Sequence, residues 1–423
     1  MSLTVADTKR FFMDGDRPFF YLADTVWMTF THATREDWRT YLAYRRRQNF
    51  NAVQISILPI LHDMSESALS IAPFESDGQG RWDFYRPSAA YFERAAAMLQ
   101  EARNAGFVPV LTILWCNYVP DTWASKKAPE MVMPLDAIPG YVARVVDAFA
   151  PFEPIYAISG DTDFETPDTI AHYAAALRAL KGLCPRALTT LHLAPPTDWP
   201  DEFMRSPDLD FYMYQSGHHV EEQDRAYTLA QRFATKPVRR PVVNGEPCYE
   251  GHGHGYRYGR FAAFDVRKAL WQSLLSGASA GVTYGAHGMW SWHTEDMAFT
   301  SEAFSMRPFA WREALRLEGA WDASFARALV ERYGLYGLEA QPEAHDASPE
   351  IRVATTVDHS HLAVYVPYAT EVTLTLDLPA YEWTAVDLTA RRWVHAGVAQ
   401  RDGRTIIPMH ETNGDLLVIG ELE

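Results

Sequence analysis

The sequence predicts an α/β fold, a (β/α)8 TIM barrel followed by a small all-β sandwich, and three observations lead to this prediction. Eight short apolar runs alternate with longer helix-like segments between residues 19 and about 320. The runs are nearly continuous in hydrophobic residues, as expected of parallel strands covered on both faces. From about residue 335 the pattern changes to short alternating strands without helices, which is typical of a sandwich. We therefore expect a catalytic barrel over residues 1–334 and a sandwich over residues 335–423.

The segments between the eight strands have helical periodicity, and the helix-like segment 89–106 closes on Asn104-Ala105-Gly106. Glycine is frequent where a helix stops. Eight βα units in about 300 residues match the size of a (β/α)8 barrel. The predicted strands are FFYLADTVW (19–27), NAVQISI (51–57), VPVLTILW (108–115), IYAISGD (155–161), ALTTLHLA (187–194), FYMYQSG (211–217), PVVNGEP (241–247) and GVTYGAHG (281–288).

The C-terminal segment contains short alternating strands separated by turn residues such as Asp-His-Ser-His and Arg-Asp-Gly-Arg. They are RVATTVD, HLAVYVP, EVTLTLDL, WTAVDL, RTIIPM and DLLVIGEL, and the run 339–350 is the expected junction with the barrel. This pattern predicts an antiparallel sandwich of under about 100 residues. Because it has no cluster of acids with aromatic residues, we expect it to support the barrel rather than to carry catalysis.

Charge and composition exclude several classes of partner. The 423 residues carry a net charge of −16, from 54 acidic and 38 basic residues, so binding to nucleic acid or to an anionic membrane is not expected. No window approaches the roughly 18 apolar residues of a membrane helix. The start, MSLTVADTKRFF, lacks the features of a secretory signal, and the three cysteines suit a reducing compartment, so we expect a cytoplasmic protein.

Two acids stand where the fourth and seventh predicted strands end, Asp161 after Ser159-Gly160 and Glu246 after Asn244-Gly245. Strands four and seven lie on opposite sides of a barrel, and the working residues of such barrels lie at the C-terminal ends of the strands. Two opposed carboxyl groups are what glycoside hydrolysis needs. Nearby acids are alternatives for these roles, and their negative charge is expected to raise the pKa of one member of the group. These alternatives are Asp163, Glu165 and Glu250.

Other polar and aromatic residues at the strand ends are expected to bind the substrate. Tryptophan offers a flat face to sugar C–H groups, and polar side chains hydrogen-bond to hydroxyls. A structural role is the alternative for each: Asp24 can close a turn, and the tryptophans can pack in the core. The predicted substrate-binding residues are Asp24, Trp27, Gln54, Trp115, Asn117, His192, Tyr214, Gln215, His287 and Trp290.

Four histidines in two loops raise the question of a metal. His252 and His254 alternate with glycine, and His218 and His219 are adjacent. Metal-binding histidines more often occur at helical i, i+4 spacing or with cysteine pairs, so we predict no metal. The sequence also lacks a glycine-rich phosphate motif between a strand and a helix, and it lacks the G-x-S-x-G motif of esterases. We therefore predict no cofactor.

Several stretches resemble the apiosidase-like family of barrel glycoside hydrolases, over roughly residues 10 to 320. They are FFYLADTVWMTF, YLAYRRRQNFNAVQISI, SGD at the fourth strand, NGEPCYEG at the seventh and GVTYGAHGMW at the eighth. The family often adds a C-terminal sandwich of collagen-binding type. The resemblance implies a catalytic pair of strand-four aspartate and strand-seven glutamate, which are Asp161 and Glu246 here. One position departs from it, because Ser159 stands where glycine is expected.

The leading hypothesis is a retaining glycoside hydrolase that acts on a neutral oligosaccharide of plant or microbial origin. Its two carboxyl groups would lie about 5–5.5 Å apart, as in other retaining enzymes. The acidic net charge disfavours uronic or sulfated sugars. The alternative from another class is a non-catalytic carbohydrate-binding protein on a degenerate barrel. A lyase or isomerase on the same barrel is a third hypothesis, and it would require a base near a sugar α-carbon and often a metal.

Overall fold

The computed structural model describes residues 3–63, 71–255, 257–299, 303–345, 347–376 and 378–422. In chain order, the strands in this part of the chain are β1 (Leu3–Val5), β2 (Phe12–Asp14), β3 (Arg17–Phe19), β4 (Tyr21–Thr25), β5 (Ala52–Ser56), β6 (Phe74–Ser76), β7 (Trp82–Pro87), β8 (Val108–Trp115), β9 (Ile155–Gly160), β10 (Thr189–Thr190), β11 (Tyr212–Gln215), β12 (Val242–Glu246), β13 (Gly281–Tyr284), β14 (Glu339–Ala340), β15 (Arg352–Thr355), β16 (His361–Val366), β17 (Val372–Leu374), β18 (Tyr381–Asp387), β19 (Arg392–Val394), β20 (Ala399–Arg401), β21 (Arg404–Ile407) and β22 (Leu416–Leu422).

The α-helices pack around the barrel or connect its strands. Those in the described residues are α1 (Thr29–His32), α2 (Arg35–Arg47), α3 (Ala89–Asn104), α4 (Ile138–Phe149), α5 (Pro167–Leu183), α6 (Asp201–Met204), α7 (Arg225–Ala234), α8 (Ala263–Leu274), α9 (Trp311–Ala314) and α10 (Gly319–Arg332). Short 3-10 helices lie at Leu61–Asp63, Cys116–Tyr118, Pro129–Met131, Ala150–Phe152, Val220–Glu222 and Ala303–Ser305. Within the described ranges, no helix is both long and apolar enough to cross a bilayer.

Eight strands form one parallel sheet in the order β10-β9-β8-β5-β4-β13-β12-β11, so neighbours along the chain are neighbours in the sheet. The two ends of this sheet also meet. The backbone N–H of Asp210, just before β11, donates to the Thr189 carbonyl of β10 at 2.9 Å. The hydroxyl of Thr190 donates to the Phe211 carbonyl at 2.7 Å. The predicted (β/α)8 barrel is therefore confirmed.

Local sequence explains where the barrel helices begin. Thr34 caps α2, because its hydroxyl accepts a hydrogen bond from the N–H of Asp37 at 3.1 Å. Thr166 caps α5 in the same way through the N–H of Thr169, and Pro167 occupies the first helical turn, where the proline does not cost a hydrogen bond. These caps orient each helix so that its apolar face packs on the sheet.

Two parts of the N-terminal half differ from the sequence-based prediction. The predicted first strand, 19–27, is divided between β3 and β4, because β1, β2 and β3 form a separate antiparallel sheet. That sheet covers the N-terminal end of the barrel, where Phe12 packs edge-on against Phe211 with ring centroids 5.1 Å apart. The fifth strand, predicted over 187–194, is regular only at Thr189 and Thr190, and beyond them the chain stays beside the end of β9 through an isolated bridge between Leu193 and Thr162.

The C-terminal residues form the predicted sandwich of antiparallel sheets. A six-stranded sheet has the order β14-β15-β16-β22-β18-β19, and a three-stranded sheet has the order β17-β21-β20. The apolar side chains of both sheets share one core, which includes Val364, Val372, Leu374, Ile407 and Val418. The last barrel helix, α10, ends at Arg332, and the first sandwich strand, β14, begins at Glu339.

A buried ionic cluster joins the barrel to the sandwich. Arg267 of α8 donates from Nε to Asp415 Oδ1 at 2.9 Å and from Nη1 to Asp322 Oδ2 of α10 at 2.6 Å. Arg391 of the sandwich donates to the other oxygen of Asp322 at 2.8 Å. The side chains of Asp322 and Asp415 are at most 1% exposed, so the two arginines supply the charge that makes their burial tolerable.

We predict that Asp415→Ala lowers the free energy of unfolding by about 3–5 kcal/mol, since it leaves Arg267 buried with one carboxylate fewer. Urea denaturation of the full chain measures this change. Asp201→Ala is the matched control, because Asp201 pairs with Arg205 on the surface with both side chains at least 75% exposed. Such a pair contributes little, so the control is expected to be nearly neutral. Equal stability of the two variants would contradict the role given to the cluster.

Candidate active site

A cavity of about 400 Å³ opens at the C-terminal end of the barrel, where the strand ends and their loops meet. Both predicted catalytic acids line it: Asp161 directly follows β9, and Glu246 is the last residue of β12. Four predicted substrate-binding residues line it as well, namely Trp27, Trp115, Gln215 and Trp290. The cavity also contains residues that the sequence did not single out as substrate-binding, including His62, Trp123, His218, His219, Glu222, Arg225, Tyr249, His252, Phe304 and Ser305.

The end of β12 is built to hold Glu246 in place. The N–H of Glu246 donates to Asn244 Oδ1 at 3.3 Å, and Asn244 Nδ2 donates to the hydroxyls of Ser216 and Ser273 at 3.0 Å each. Gly245 has to be glycine, because a Cβ there would lie 2.4 Å from Met213 Cγ. The Asn-Gly-Glu sequence therefore fixes the backbone that carries the carboxylate.

Two imidazoles contact the two oxygens of Glu246. His218 Nε2 lies 2.9 Å from Oε1, and His192 Nε2 lies 3.1 Å from Oε2. The Nδ1 atom of His192 accepts a hydrogen bond from the N–H of Asp161 at 3.2 Å, which leaves Nε2 as the ring nitrogen that faces Glu246. Burial alone would raise the pKa of Glu246, but the hydrogen bonds and charges of His192 and His218 outweigh burial and hold that pKa well below its usual range. Glu246 is therefore an ionised carboxylate at neutral pH.

Asp161 occupies a backbone conformation that is uncommon outside glycine, with φ of +52°. The Trp115 ring lies against Gly160, where a Cβ would approach it to 2.3 Å, so only glycine allows this packing. Trp123 Nε1 donates to the Asp161 carbonyl at 3.1 Å. These contacts fix the point at which the chain leaves β9 and turns Asp161 into the cavity.

The carboxyl group of Asp161 has polar neighbours on two sides. His62 Nε2 lies 3.4 Å from Oδ2. With its amide oriented to satisfy both partners, Gln215 donates to Asp161 Oδ1 at 3.1 Å and to the Leu193 carbonyl at 2.6 Å. Gln215 is thus placed in the cavity as predicted, and its observed partner there is the acid.

Tryptophan rings form the apolar wall of the cavity. Trp27 and Trp115 meet edge to face, with ring centroids 5.1 Å apart. Trp27 Nε1 donates to the Tyr249 hydroxyl at 3.2 Å, and Trp290 Nε1 donates to His287 Nδ1 at 3.2 Å. These hydrogen bonds fix the orientation of two indoles, which suits rings that have to present a face to a ligand.

Several residues predicted to bind substrate do not line the cavity. Asp24 is fully buried, and its Oδ2 accepts from Arg45 Nε at 2.6 Å and from the Tyr41 hydroxyl at 2.8 Å. Gln54 donates to the Gly245 carbonyl at 2.8 Å. The expected sugar contacts of Asp24 and Gln54 are corrected on this ground: the first serves an ion pair, and the second supports β12 from inside the barrel.

Substrate contacts were also predicted for Tyr214, His287 and Asn117, and they are corrected because these side chains contact other parts of the protein. Tyr214 donates its hydroxyl to the Ala226 carbonyl at 2.8 Å. His287 contacts the Met306 carbonyl through Nε2 at 2.7 Å. Asn117 is fully buried and lies 3.8 Å from the Met131 sulfur. His192 also lies behind the cavity wall, but it contacts Glu246 directly, so it belongs to the site in a positioning role.

The acids considered as alternatives have structural partners outside the cavity. Asp163 accepts from the Thr197 hydroxyl at 2.6 Å, and Glu165 accepts from the Trp123 N–H at 2.9 Å. Glu250 accepts from the Tyr284 hydroxyl at 2.6 Å and from the Gly319 N–H at 2.8 Å. The expected crowding of acids around Asp161 is therefore replaced by contacts with His62 and Gln215.

Histidines near the cavity are engaged with the backbone and with one another. His252 Nδ1 contacts the Gly253 carbonyl at 2.8 Å, and its ring lies 4.6 Å from the His218 ring. Burial lowers the pKa of His252 well below its usual range and that of His287 to about 3, so both rings are neutral. In the part of the chain that the structure describes, no three His, Cys, Asp or Glu residues are grouped to hold a metal ion.

His218 contacts Glu246 in the structure, but the sequence analysis did not predict this role. It was considered only as a metal ligand, although the sequence Gln215-Ser216-Gly217-His218 continues directly from the sixth strand into the barrel mouth. His62 and Trp123 come from long loops whose path the sequence pattern does not indicate. Ser159, the departure from the family pattern, donates its hydroxyl to the His192 carbonyl at 2.9 Å and so supports the residue that contacts Glu246.

Comparison with solved structures identifies the class of this fold. One structure described as a glycoside hydrolase is 18% identical, covers 99% of this chain and 96% of its own, and has a TM-score of 0.80. A glycoside hydrolase family 5 structure from Bacteroides vulgatus ATCC 8482 is 16% identical, with 99% and 93% coverage and a TM-score of 0.80. A third structure, from the same organism, is 18% identical with a TM-score of 0.69, and covers 100% of this chain and 82% of its own. At these identities the likeness concerns the fold.

The sequence itself establishes the family. Residues 6–336 match the model of the apiosidase-like catalytic domain, so the chain belongs to that family, as the resemblance predicted. No sequence among the curated proteins matches this chain.

We predict that Glu246→Gln removes a pH-dependent part of the stability. A folded-state pKa below the unfolded value of about 4.3 stabilises the folded protein fully above that pH, and this contribution is lost as the pH falls through the folded pKa. The difference in unfolding free energy between wild type and variant should therefore change between neutral pH and about pH 3, to the disadvantage of the wild type. Denaturant titrations at several pH values measure it, with the exposed Glu313→Gln as control. A pH-independent difference would contradict the assigned ionisation.

Proposed function

We propose that this protein is a retaining glycoside hydrolase, with Glu246 as the nucleophile and Asp161 as the acid that becomes the base. The observation that carries the proposal is the presence of both carboxyl groups in one aromatic-walled cavity, with Glu246 held ionised between two imidazoles. Glycoside hydrolysis on this type of barrel uses two such carboxyl groups around the scissile bond.

In the first step, Asp161 protonates the oxygen of the leaving group while a Glu246 oxygen attacks the anomeric carbon. The glycosidic C–O bond breaks, and a glycosyl ester forms on Glu246. In the second step, the Asp161 carboxylate takes a proton from water, and the resulting oxygen nucleophile displaces Glu246 from the sugar. Both steps develop positive charge on the sugar, which the ionised Glu246 and the negative surroundings stabilise.

The contacts of Glu246 suit a nucleophile in particular. His192 and His218 fix both oxygens, so little reorganisation is needed before attack. The Asn244 and Gly245 backbone is rigid for the reasons given above, which keeps the carboxylate at one position. Tyr249, whose pKa is raised by burial and by the charge of Glu246, keeps its hydroxyl proton and can donate it near the reacting centre.

The cavity favours a neutral sugar at the bond that is cleaved. Trp27, Trp115 and Trp290 supply apolar faces, and the ionised Glu246 carboxylate repels an anionic substituent. Among the described residues that line the cavity, Arg225 is the one lysine or arginine. Both of its terminal nitrogens contact the Glu222 carboxylate. Its charge is therefore already compensated by Glu222, so Arg225 is not free to pair with a uronate.

Substitution of the two acids tests the assignment. Glu246→Gln is expected to abolish turnover while ligand binding remains, because an amide does not form the glycosyl ester. Asp161→Asn is expected to slow substrates with poor leaving groups by about 10²–10⁴-fold and to affect activated aryl glycosides far less, since only the former need protonation. Steady-state kinetics on a panel of neutral aryl glycosides and oligosaccharides provides the measurement.

Two variants control for indirect effects. Glu165→Gln alters an acid four residues from Asp161 that lies outside the cavity and contacts the Trp123 backbone, so it should retain turnover. Circular dichroism verifies that each variant is folded. If Glu246→Gln kept wild-type turnover, Glu246 would not be the nucleophile. If the wild type bound oligosaccharides without hydrolysing any, the protein would be a binding protein on this barrel instead.

A further inference from the structure

A second, larger groove lies at the opposite end of the barrel from the candidate active site. It has a volume of about 530 Å³ and is enclosed by the turn between β1 and β2, the C-terminal half of α7, the loop after α8 and strand β14. Val242, the first residue of β12, lines it, whereas Glu246 at the other end of the same strand lines the active-site cavity. Four residue-to-residue steps along the strand separate the two, which is about 13 Å.

The groove is basic in a protein that is acidic as a whole. The described residues that line it include five basic side chains and one acidic one, Glu339, although the whole chain carries 54 acidic and 38 basic residues. A local excess of this sign creates a positive potential inside a concave surface, where counter-charges concentrate. The basic residues are Lys9, Arg10, Arg232, Arg239 and Arg240.

Three of these five side chains have structural partners. Arg240 donates to the Met204 and Ser206 carbonyls at 2.8 and 2.7 Å, where it satisfies the end of α6. Arg232 donates to the Pro196 carbonyl at 2.9 Å, and Arg10 pairs with Glu339. Hydrogen bonds to backbone carbonyls and one ion pair therefore engage three of the basic side chains, and only Arg240 caps a helix C-terminus. Lys9 and Arg239 remain to be accounted for.

Arg239 and Lys9 contact no carboxylate of the described residues within ion-pair distance, although both line the groove. Burial and the charge of Arg239 lower the pKa of Arg10, which places the two guanidinium groups within electrostatic reach of each other. Like charges brought together cost free energy, and a bound anion would recover it.

We propose that this groove binds a small multivalent oxyanion, a polyphosphate or a phosphorylated small molecule, with Arg239, Lys9 and Arg10 as its cationic contacts.

The chemistry of the groove selects this class of ligand. Guanidinium groups hydrogen-bond to phosphate oxygens in pairs, and an ammonium group adds a mobile point charge. A singly charged anion would neutralise only one of the cations, whereas a polyphosphate spans several in a groove of about 530 Å³. Strand β14 is the first strand of the sandwich, and it lines the groove together with residues of the barrel. Such a ligand would therefore contact both domains. The proposal does not depend on the glycosidase function.

Isothermal titration calorimetry of the full chain with sodium tripolyphosphate tests the proposal, at an ionic strength held constant with sodium chloride. The wild type is expected to bind one equivalent, and inorganic phosphate is expected to bind more weakly because it bridges fewer cations. Arg239→Gln should weaken tripolyphosphate binding at least about tenfold, as expected for the loss of a hydrogen bond to a charged group. Lys9→Gln should weaken it in the same direction.

Arg17→Gln is the matched control, because Arg17 is an exposed arginine of the N-terminal sheet that does not line the groove. It should bind tripolyphosphate as the wild type does. Absence of binding to the wild type at millimolar tripolyphosphate would overturn the proposal. Equal affinity of the wild type, Arg239→Gln and Lys9→Gln would overturn it as well, since the anion would then be bound elsewhere.

Discussion

The Glu246 carboxylate is held between the imidazoles of His192 and His218, and much of the barrel mouth is arranged around that contact. His192, two residues after β10, contacts Glu246 and at the same time accepts a hydrogen bond from the N–H of Asp161 at the end of β9, so one ring links both acids. Ser159 holds the His192 backbone, and Gln54 holds the Gly245 carbonyl from inside the barrel. A carboxylate this buried remains ionised only because these partners outweigh its loss of hydration.

The rest of the protein keeps that mouth rigid. The barrel is closed, and the sheet of β1 to β3 covers its N-terminal end. Its outer helices α8 and α10 are joined to the sandwich through Arg267. Buried ion pairs of this kind add little net stability over an apolar alternative, but they specify one arrangement of the charged partners. The sandwich therefore fixes the relative position of two barrel helices, as a supporting role requires.

Much of the fold and the core of the site could be predicted from sequence, for identifiable physical reasons. Strands buried on both faces leave continuous apolar runs, which indicate the fold. The C-terminal ends of the strands meet at one mouth of the barrel, so polar and aromatic residues there are expected in the cavity. The residues expected there that line it are Asp161, Glu246, Trp27, Trp115, Gln215 and Trp290. Asp24 and Tyr214 were not, because a polar residue near a strand end can equally turn outward to partners such as Arg45 or the Ala226 carbonyl. His62, His218 and Trp123 depend on the paths of loops, which periodicity does not encode.

The central claim is that Glu246 attacks the sugar directly and that the reaction has two displacement steps. Each displacement inverts the anomeric carbon, so two of them restore its original configuration. Proton NMR of the first product formed from an aryl glycoside that the protein hydrolyses, recorded before mutarotation, measures that configuration. The account predicts a product with the same anomeric configuration as the substrate. A first product of opposite configuration would contradict it, because Glu246 would then activate a water molecule and would form no bond to the sugar.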